Sequence, residues 1–283
     1  MTKILVPTDF SPTAGKALDY AVQIAKLNKG TILLVHACSL VDSSFRDKNE
    51  LKTEFNNSIT DEAHDKLSLL KKSIEETEKI PVNIQLYSGT VHDTVLDAAD
   101  EFKASLIVMG TMGITGLKEK IFGSKTAYII GKSKIPVITI PIEYDWSEPK
   151  KILLTINHIE EANDLVHPVF HLARLFHTQV QIAIFSNEED IVNKEHYKHM
   201  EKILTIRNLL RDKYPDITIE AHHLGGQRFH ETLNEYIDNN KIDMLAMLTH
   251  KRSFTSSIFN RSLTKKMSYH AKIPLVAIPV PEK

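Results

Sequence analysis

The sequence predicts an α/β fold built as two tandem domains, each a parallel sheet covered by helices. Three observations carry that prediction. Short β-branched apolar runs alternate with amphipathic helical stretches along the chain. The alternation occurs twice, in the same order. The strand runs are apolar throughout rather than every second residue, as strands covered on both faces are. The repeat is visible in the letters: IPVITIP (Ile135–Pro141) returns as IPLVAIP (Ile273–Pro279), His92-Asp93-Thr94 as His230-Glu231-Thr232, and KILVPTDF from Lys3 as KILLTINH from Lys151. The spacing of these matches leaves the first copy about ten residues longer between its first and third strands. A length of 283 residues suits two domains. We place them at residues 1–142 and 150–283, with a polar linker, EYDWSEP, at 143–149.

The elements follow in order. Ile4–Pro7 is a first strand. Ser11 is an N-cap with Pro12 at the first helical position, and Ala17, Leu18, Ala21, Val22 and Ala25 recur at helical spacing until Gly30 ends the helix. Thr31–Ala37 is a second strand, residues 48–79 a long polar helix, Val82–Tyr87 a third strand, His92–Phe102 a helix, and Leu106–Met109 a fourth strand. A glycine-rich loop and a helix near Lys125–Lys132 lead to a fifth strand, Val137–Ile140. The second copy repeats this with strands near Ile152–Ile156, Val180–Phe185, Ile217–Ala221, Met244–Met247 and Leu275–Ile278. Its first helix contains Pro168, which kinks a helix interior. Both fifth strands carry proline at each end, which marks an edge. A bare apolar edge invites another strand. The two fifth strands are therefore expected to pair with each other within the chain.

Composition removes several function classes. The formal net charge is -1 and neither half holds a basic excess, which argues against nucleic acid. No apolar run reaches the ~18 residues of a membrane span. The start, MTKILVPTDF, is not a signal peptide. A single cysteine, Cys38, permits no intrachain disulfide and no cysteine-based zinc cluster, and fits the cytoplasm.

The motif that carries chemistry follows the fourth strand: Gly110-Thr111-Met112-Gly113, nine residues, then Gly123-Ser124 opening a helix. Glycines let backbone approach an anion, successive N–H groups form an anion nest, and the helix start adds free donors and partial positive charge. The hydroxyls of Ser124 and Thr126 can bond phosphate oxygens or a metal's water. In an open α/β sheet, ligands bind beyond the carboxyl ends of the strands, where this loop lies. It is neither a Walker A loop nor a GxGxxG fingerprint.

On these residues the chain resembles the universal stress protein family, UspA type, in its tandem two-domain form. That family's motif, G-x2-G-x9-G-[ST], is filled by Gly110, Gly113, Gly123 and Ser124. Pro7-Thr8-Asp9 matches its Asp after the first strand, His36-Ala37 its pair ending the second, and Ile135-Pro136-Val137-Ile138 its fifth strand. The resemblance implies five-stranded parallel, Rossmann-like domains of strand order 3-2-1-4-5, related by a pseudo-twofold. It implies ATP, with Mg²⁺ or Mn²⁺, at the ends of strands 1 and 4. Carried over, Asp9 contacts the nucleoside, the Ala37 backbone meets the adenine edge, Met109 and Gly110 lie along the nucleoside, and Gly113 takes phosphates by its backbone. Gly123, Ser124, Lys125 and Thr126 hold the phosphate tail. Ala37 departs from the commoner Val, with some loss of apolar contact.

The second copy has lost the motif. Leu248 stands for Gly110, Lys251 for Gly113, Asn260 for Gly123 and Asn157 for Asp9. Side chains there take the space phosphates need, so no nucleotide is expected in the second domain. Lys251, Arg252 and Arg261 are read as a solvated loop, with an anion site as the alternative. Of 14 histidines only His36, His64 and His92 lie in the first half. His158, His222, His223 and His250 fall near strand ends and His167 and His171 on one helix face, but no metal-ligand spacing joins them, and no metal site is expected. The functional expectation is a cytoplasmic nucleotide-dependent stress-response protein with no catalytic residue, read by an unidentified protein partner. Alternatives are a slow ATPase or self-phosphorylating enzyme, or a nucleotide-free dimerisation scaffold; a homodimer of the whole chain is left open.

Overall fold

A computed structural model describes residues 2–38, 49–111, 123–156, 164–187, 196–250 and 272–281. Ten strands form one sheet in the order β3-β2-β1-β4-β5-β10-β9-β6-β7-β8. The first five are β1 (Lys3–Pro7), β2 (Thr31–Cys38), β3 (Val82–Ser88), β4 (Leu106–Gly110) and β5 (Val137–Ile140). The second five are β6 (Lys151–Thr155), β7 (Gln179–Asn187), β8 (Ile219–Gly226), β9 (Met244–His250) and β10 (Leu275–Val280). Within each half the pairs are parallel, in the order 3-2-1-4-5. At the seam β5 and β10 pair antiparallel, as the proline-flanked edges predict, with Ile138 opposite Val276 and Thr139 opposite Leu275. This register puts a local twofold on the Ile138–Val276 pair. Every strand therefore has a mate in the other half.

Seven helices cover the two faces: α1 (Pro12–Asn28), α2 (Asn49–Thr77), α3 (Val91–Phe102), α4 (Ser124–Lys132), α5 (His167–Leu175), α6 (His196–Lys213) and α7 (Phe229–Asn240) are those among the described residues. Successive strand residues serve opposite cores. Ile4, Val6, Ile32 and Leu34 pack under α1 and α2, while Leu5, Leu33 and Val35 pack under α3 and α4. Burial on both sides is why the strands show no alternation. The length difference between the copies lies in one helix: α2 has 29 residues and its mate α6 has 18.

Helix α1 starts as its sequence dictates. The Ser11 Oγ accepts the Ala14 N–H at 3.2 Å and Pro12 sits in the first turn. At its end the left-handed residue is Lys29 (φ 53°) rather than Gly30, and His177 (φ 49°) is its counterpart after α5. Matching bonds, Gly30 N–H to Ala25 O and Thr178 N–H to Ala173 O, fix the equivalence of the two helix ends.

Two expectations are corrected. Pro168 is in the first turn of α5, after a 3-10 turn at Asp164–Val166, so it bends no helix interior; a missing N–H costs nothing there. And β8 does not stop at Ala221 but continues through His222 and His223 to Gly226, held by its parallel ladder with β7. Pairing overrides the weak strand preference of His and Gly.

The linker is packed. Trp146 lies between the first helices of the two domains, edge-on to Tyr20 at 4.8 Å and 6.0 Å from the Phe176 ring. Tyr144 is buried and donates to Ser147 O at 3.0 Å, and Asp145 pairs with Lys16. Since Ile138 is fully buried on the twofold, Ile138→Ala is expected to lower the unfolding free energy by about 2–5 kcal/mol. Urea titration of the whole chain measures this, and a loss below about 1 kcal/mol would mean that the seam is not a core.

Candidate functional site

The strands of the first domain all end at one edge, and the starts of α1, α3 and α4 meet there. β1 ends in a knot of short bonds. The Thr8 N–H donates to Val35 O at 2.8 Å, the Phe10 N–H to Thr8 Oγ1 at 3.0 Å, and the Ser11 N–H to Asp9 Oδ1 at 3.1 Å. Phe10 takes φ 60° to make this turn. The imidazole of His36 bonds Thr8 O through Nδ1 at 2.8 Å and packs on Phe10 with ring centres 4.7 Å apart. The Asp9 carboxylate thus faces the strand ends with its backbone fixed on both sides.

Two glycines position the rest. Gly89 has φ 138°, a conformation side chains rarely adopt, and it turns the chain from β3 into α3. Gly110 ends β4 against α1. A Cβ there would stand 2.6 Å from the Thr13 methyl and 3.1 Å from the Thr13 carbonyl. The sequence reading laid Gly110 along the nucleoside; the geometry adds that glycine lets α1 approach β4. Beyond it, Thr111 N–H bonds Ile140 O and Gly123 N–H bonds Thr111 O. Gly123 then caps α4 without a side-chain acceptor, so the amides of the first turn have no helical partner.

A cavity of about 80 Å³ opens at this edge. Of the residues proposed from sequence, Pro7, Thr8, Asp9, Ala37, Met109, Gly110, Lys125 and Thr126 line it. Gly123 and Ser124 form the α4 start but are not part of its wall. Gly113 lies outside the described residues, as do Lys251, Arg252, Asn157, His158, Asn260 and Arg261. Thr126 is buried and its hydroxyl donates to Gly110 O at 3.1 Å, which ties the first turn of α4 to β4. Sequence reasoning missed Ser11, Ala14, Val35, Val91 and Val95 in the wall. Ser11 carried a signal, because an N-cap after strand 1 points at the strand ends. Val91 and Val95 did too, one turn apart on the helix after strand 3.

Cys38 is buried and burial raises its thiol above the ordinary value, so it is not an activated nucleophile. Among the described residues no group of three or more His, Cys, Asp or Glu could hold a metal ion.

The second domain offers a control. Equivalent ladder positions put Phe185 where Ala37 stands and Phe229 where Val91 stands. The two rings pack edge-to-face, with centres 5.2 Å apart. They occupy the space that Ala37 and Val91 leave open in the first domain. Leu248, the counterpart of Gly110, packs against the core. His222 and His223 are inside β8, where the His223 ring bonds Ser186 Oγ at 2.6 Å.

The fold and this edge define a class: a tandem, doubly wound α/β protein with an open strand-end site in its first domain. Residues 1–141 and again 148–279 match the universal stress protein family, and the chain belongs to that family. A universal stress protein of Methanocaldococcus jannaschii is 31% identical over 152 residues, 49% of this chain and 93% of that protein. Universal stress protein YxiE of Bacillus subtilis is 31% identical over 144 residues, 49% of this chain and 97% of its own length. Over both halves, a universal stress protein from Archaeoglobus fulgidus superposes with a TM-score of 0.74 at 17% identity, covering 98% of each chain.

Because Gly110 faces the Thr13 methyl, Gly110→Ala is expected to cost about 1–3 kcal/mol of stability. Adding Thr13→Ser, which removes that methyl, should restore part of it. Thermal denaturation of the two variants checks this, and equal melting points would refute the packing role.

Proposed function

We propose that the first domain binds ATP or a related adenine nucleotide, and that the chain is a regulatory stress protein whose nucleotide-bound and nucleotide-free forms are read by a partner protein. The observation that carries this is the difference between the two copies. One backbone frame holds Ala37 and Val91 in the first domain and two packed phenylalanines in the second. Among the described residues, the first leaves room for a flat base between the strand ends and α3, where the second is filled by the two rings.

The residues fit such a ligand. Ala37, Val91, Val95 and Met109 give an apolar slot for adenine, with the backbone of residue 37 at its edge. Asp9 lies in the wall beside it as an acceptor for a ribose hydroxyl. The amides at the start of α4, which have no helical partner, the Lys125 ammonium and the Ser124 hydroxyl suit phosphates. Thr126 acts as a positioning residue, because its proton is used on Gly110 O. A Mg²⁺ or Mn²⁺ ion brought with the triphosphate would take ligands from the phosphates and from Ser124. Binding shifts the population between two forms of the protein and needs no bond cleavage. The alternative is slow hydrolysis or self-phosphorylation at the same site.

The chain purified without added nucleotide should release an adenine nucleotide on denaturation, close to one per molecule, by chromatography and mass spectrometry. ATP at 100 times its Kd should stabilise the emptied protein by about 2.7 kcal/mol. Ala37→Phe and Val91→Phe, which import the side chains of the second domain, should abolish both effects and leave the protein folded. No released nucleotide and no ATP shift would remove this reading. Phosphate release above buffer at saturating ATP would favour the enzyme.

A further inference from the structure

Beside the axis the linker breaks the twofold that relates the domains, and among the described residues the equivalent place on the other side is unfilled. On one side of the axis the linker runs through the groove between α1 and α5. There Trp146 touches Tyr20 and Phe176, and Asp145 pairs with Lys16. The helix-end equivalence makes Pro168 the mate of Tyr20, Asn28 the mate of Phe176 and Asp164 the mate of Lys16. On the opposite side of the axis Asn28 and Pro168 line a cavity of about 300 Å³. Its floor is Ile24, Leu106 and Leu172, all buried, and His171 stands exposed on its wall. Both polar atoms of the Asn28 amide are shut off from solvent and, among the described residues, have no hydrogen-bond partner.

We propose that this second groove is a docking site for a peptide segment of a partner protein that presents an aromatic side chain, seated as Trp146 is seated across the axis. The helix pair supplies the aromatic requirement, since α1 and α5 form both grooves and the occupied one holds an indole, with Pro168 and Asn28 in the second groove where Tyr20 and Phe176 stand in the first. Charge supplies the second requirement. Lys16 receives an acidic residue, Asp145, just before the tryptophan. Its mate Asp164, four residues before Pro168 and not itself in the cavity wall, carries the opposite sign, 98% exposed at the side chain, with Lys213 at 2.7 Å on one oxygen. A cation in the partner, at the place of Asp145, can share that carboxylate. The recognised feature is thus a basic residue followed by an aromatic one.

The probe is a synthetic peptide of residues 141–149, PIEYDWSEP, carrying Asp145→Lys, added to the whole protein and followed by fluorescence anisotropy. It should bind, and the same peptide with Trp146→Ala should bind about thirtyfold more weakly, as loss of a buried tryptophan anchor predicts. In the protein, His171→Trp places a bulky ring in the groove from an exposed position and should abolish binding. Asp164→Lys, also exposed, should reverse the preference toward the unaltered Asp145 peptide. Circular dichroism melting checks that both variants fold. An absent interaction, equal binding to the His171→Trp protein, or a charge preference unchanged by Asp164→Lys overturns the proposal. A concentration-dependent dimer that His171→Trp dissociates, seen by sedimentation, would assign the groove to a second copy and overturn it equally.

Discussion

The antiparallel pairing of β5 with β10 is the constraint on which the rest of the molecule depends. A parallel five-stranded sheet ends in a strand with an unpaired ladder edge. Here two such edges, each flanked by proline, satisfy each other. The pairing is centred on Ile138 and Val276, so it makes the two domains symmetric about that point. It also brings α1 and α5 side by side and fixes what the linker must cross. Helix α4 lies over the seam, where Ala127, Ile129 and Ile130 join one core with Leu275 and Ala277. Neither domain has a boundary of its own on that face.

Within this frame the two strand-end sites diverge by filling rather than by change of fold. The ladders of β7 and β8 superimpose in register on those of β2 and β3, so Phe185 takes the place of Ala37, and Phe229 opens α7 as Val91 opens α3. Two rings in edge-to-face contact bury much apolar surface and gain about 0.5–1.5 kcal/mol beyond area alone. An apolar pocket costs stability if it stays empty and gains it if it is packed. The second domain shows the packed outcome.

The sequence made the fold legible because burial on both faces leaves a strong trace: runs such as Ile4–Pro7 and Val137–Ile140 admit few other readings. The proline-flanked edges gave even the seam. What it hid was decided by neighbours in space. β8 runs on through His222, His223 and two glycines because β7 offers a partner, which no local propensity reports. Pro168 marks a helix start rather than a kink, and that depends on where the preceding turn ends. At the site, motif spacing located the glycines and the α4 start. The packing duty of Gly110 against Thr13 and the plug in the second domain required the third dimension. Phe185 and Phe229 are far apart in sequence, and each alone reads as ordinary core.

Symmetry also explains why the two grooves beside the axis are not alike. A linker that joins two domains related by a twofold can follow only one of two equivalent paths. The path taken is sealed by Tyr144 and Trp146, and the path not taken lies between the same two helices, with Pro168 and Asn28 for Tyr20 and Phe176 and with no cover among the described residues. Tandem duplication thus converts a symmetric pair of surfaces into one interior and one exterior. The strand-end sites differ in a like way among the described residues, with two phenylalanines packed in one where Ala37 and Val91 line a cavity in the other. The open strand-end site and the open groove both touch α1, the first at Ser11 and Ala14 and the second at Ile24 and Asn28. One rigid helix therefore carries both surfaces. Anything that displaces its first turn, as a ligand beside Asp9 must if it competes with the Ser11 amide, acts on an element whose other end forms the groove.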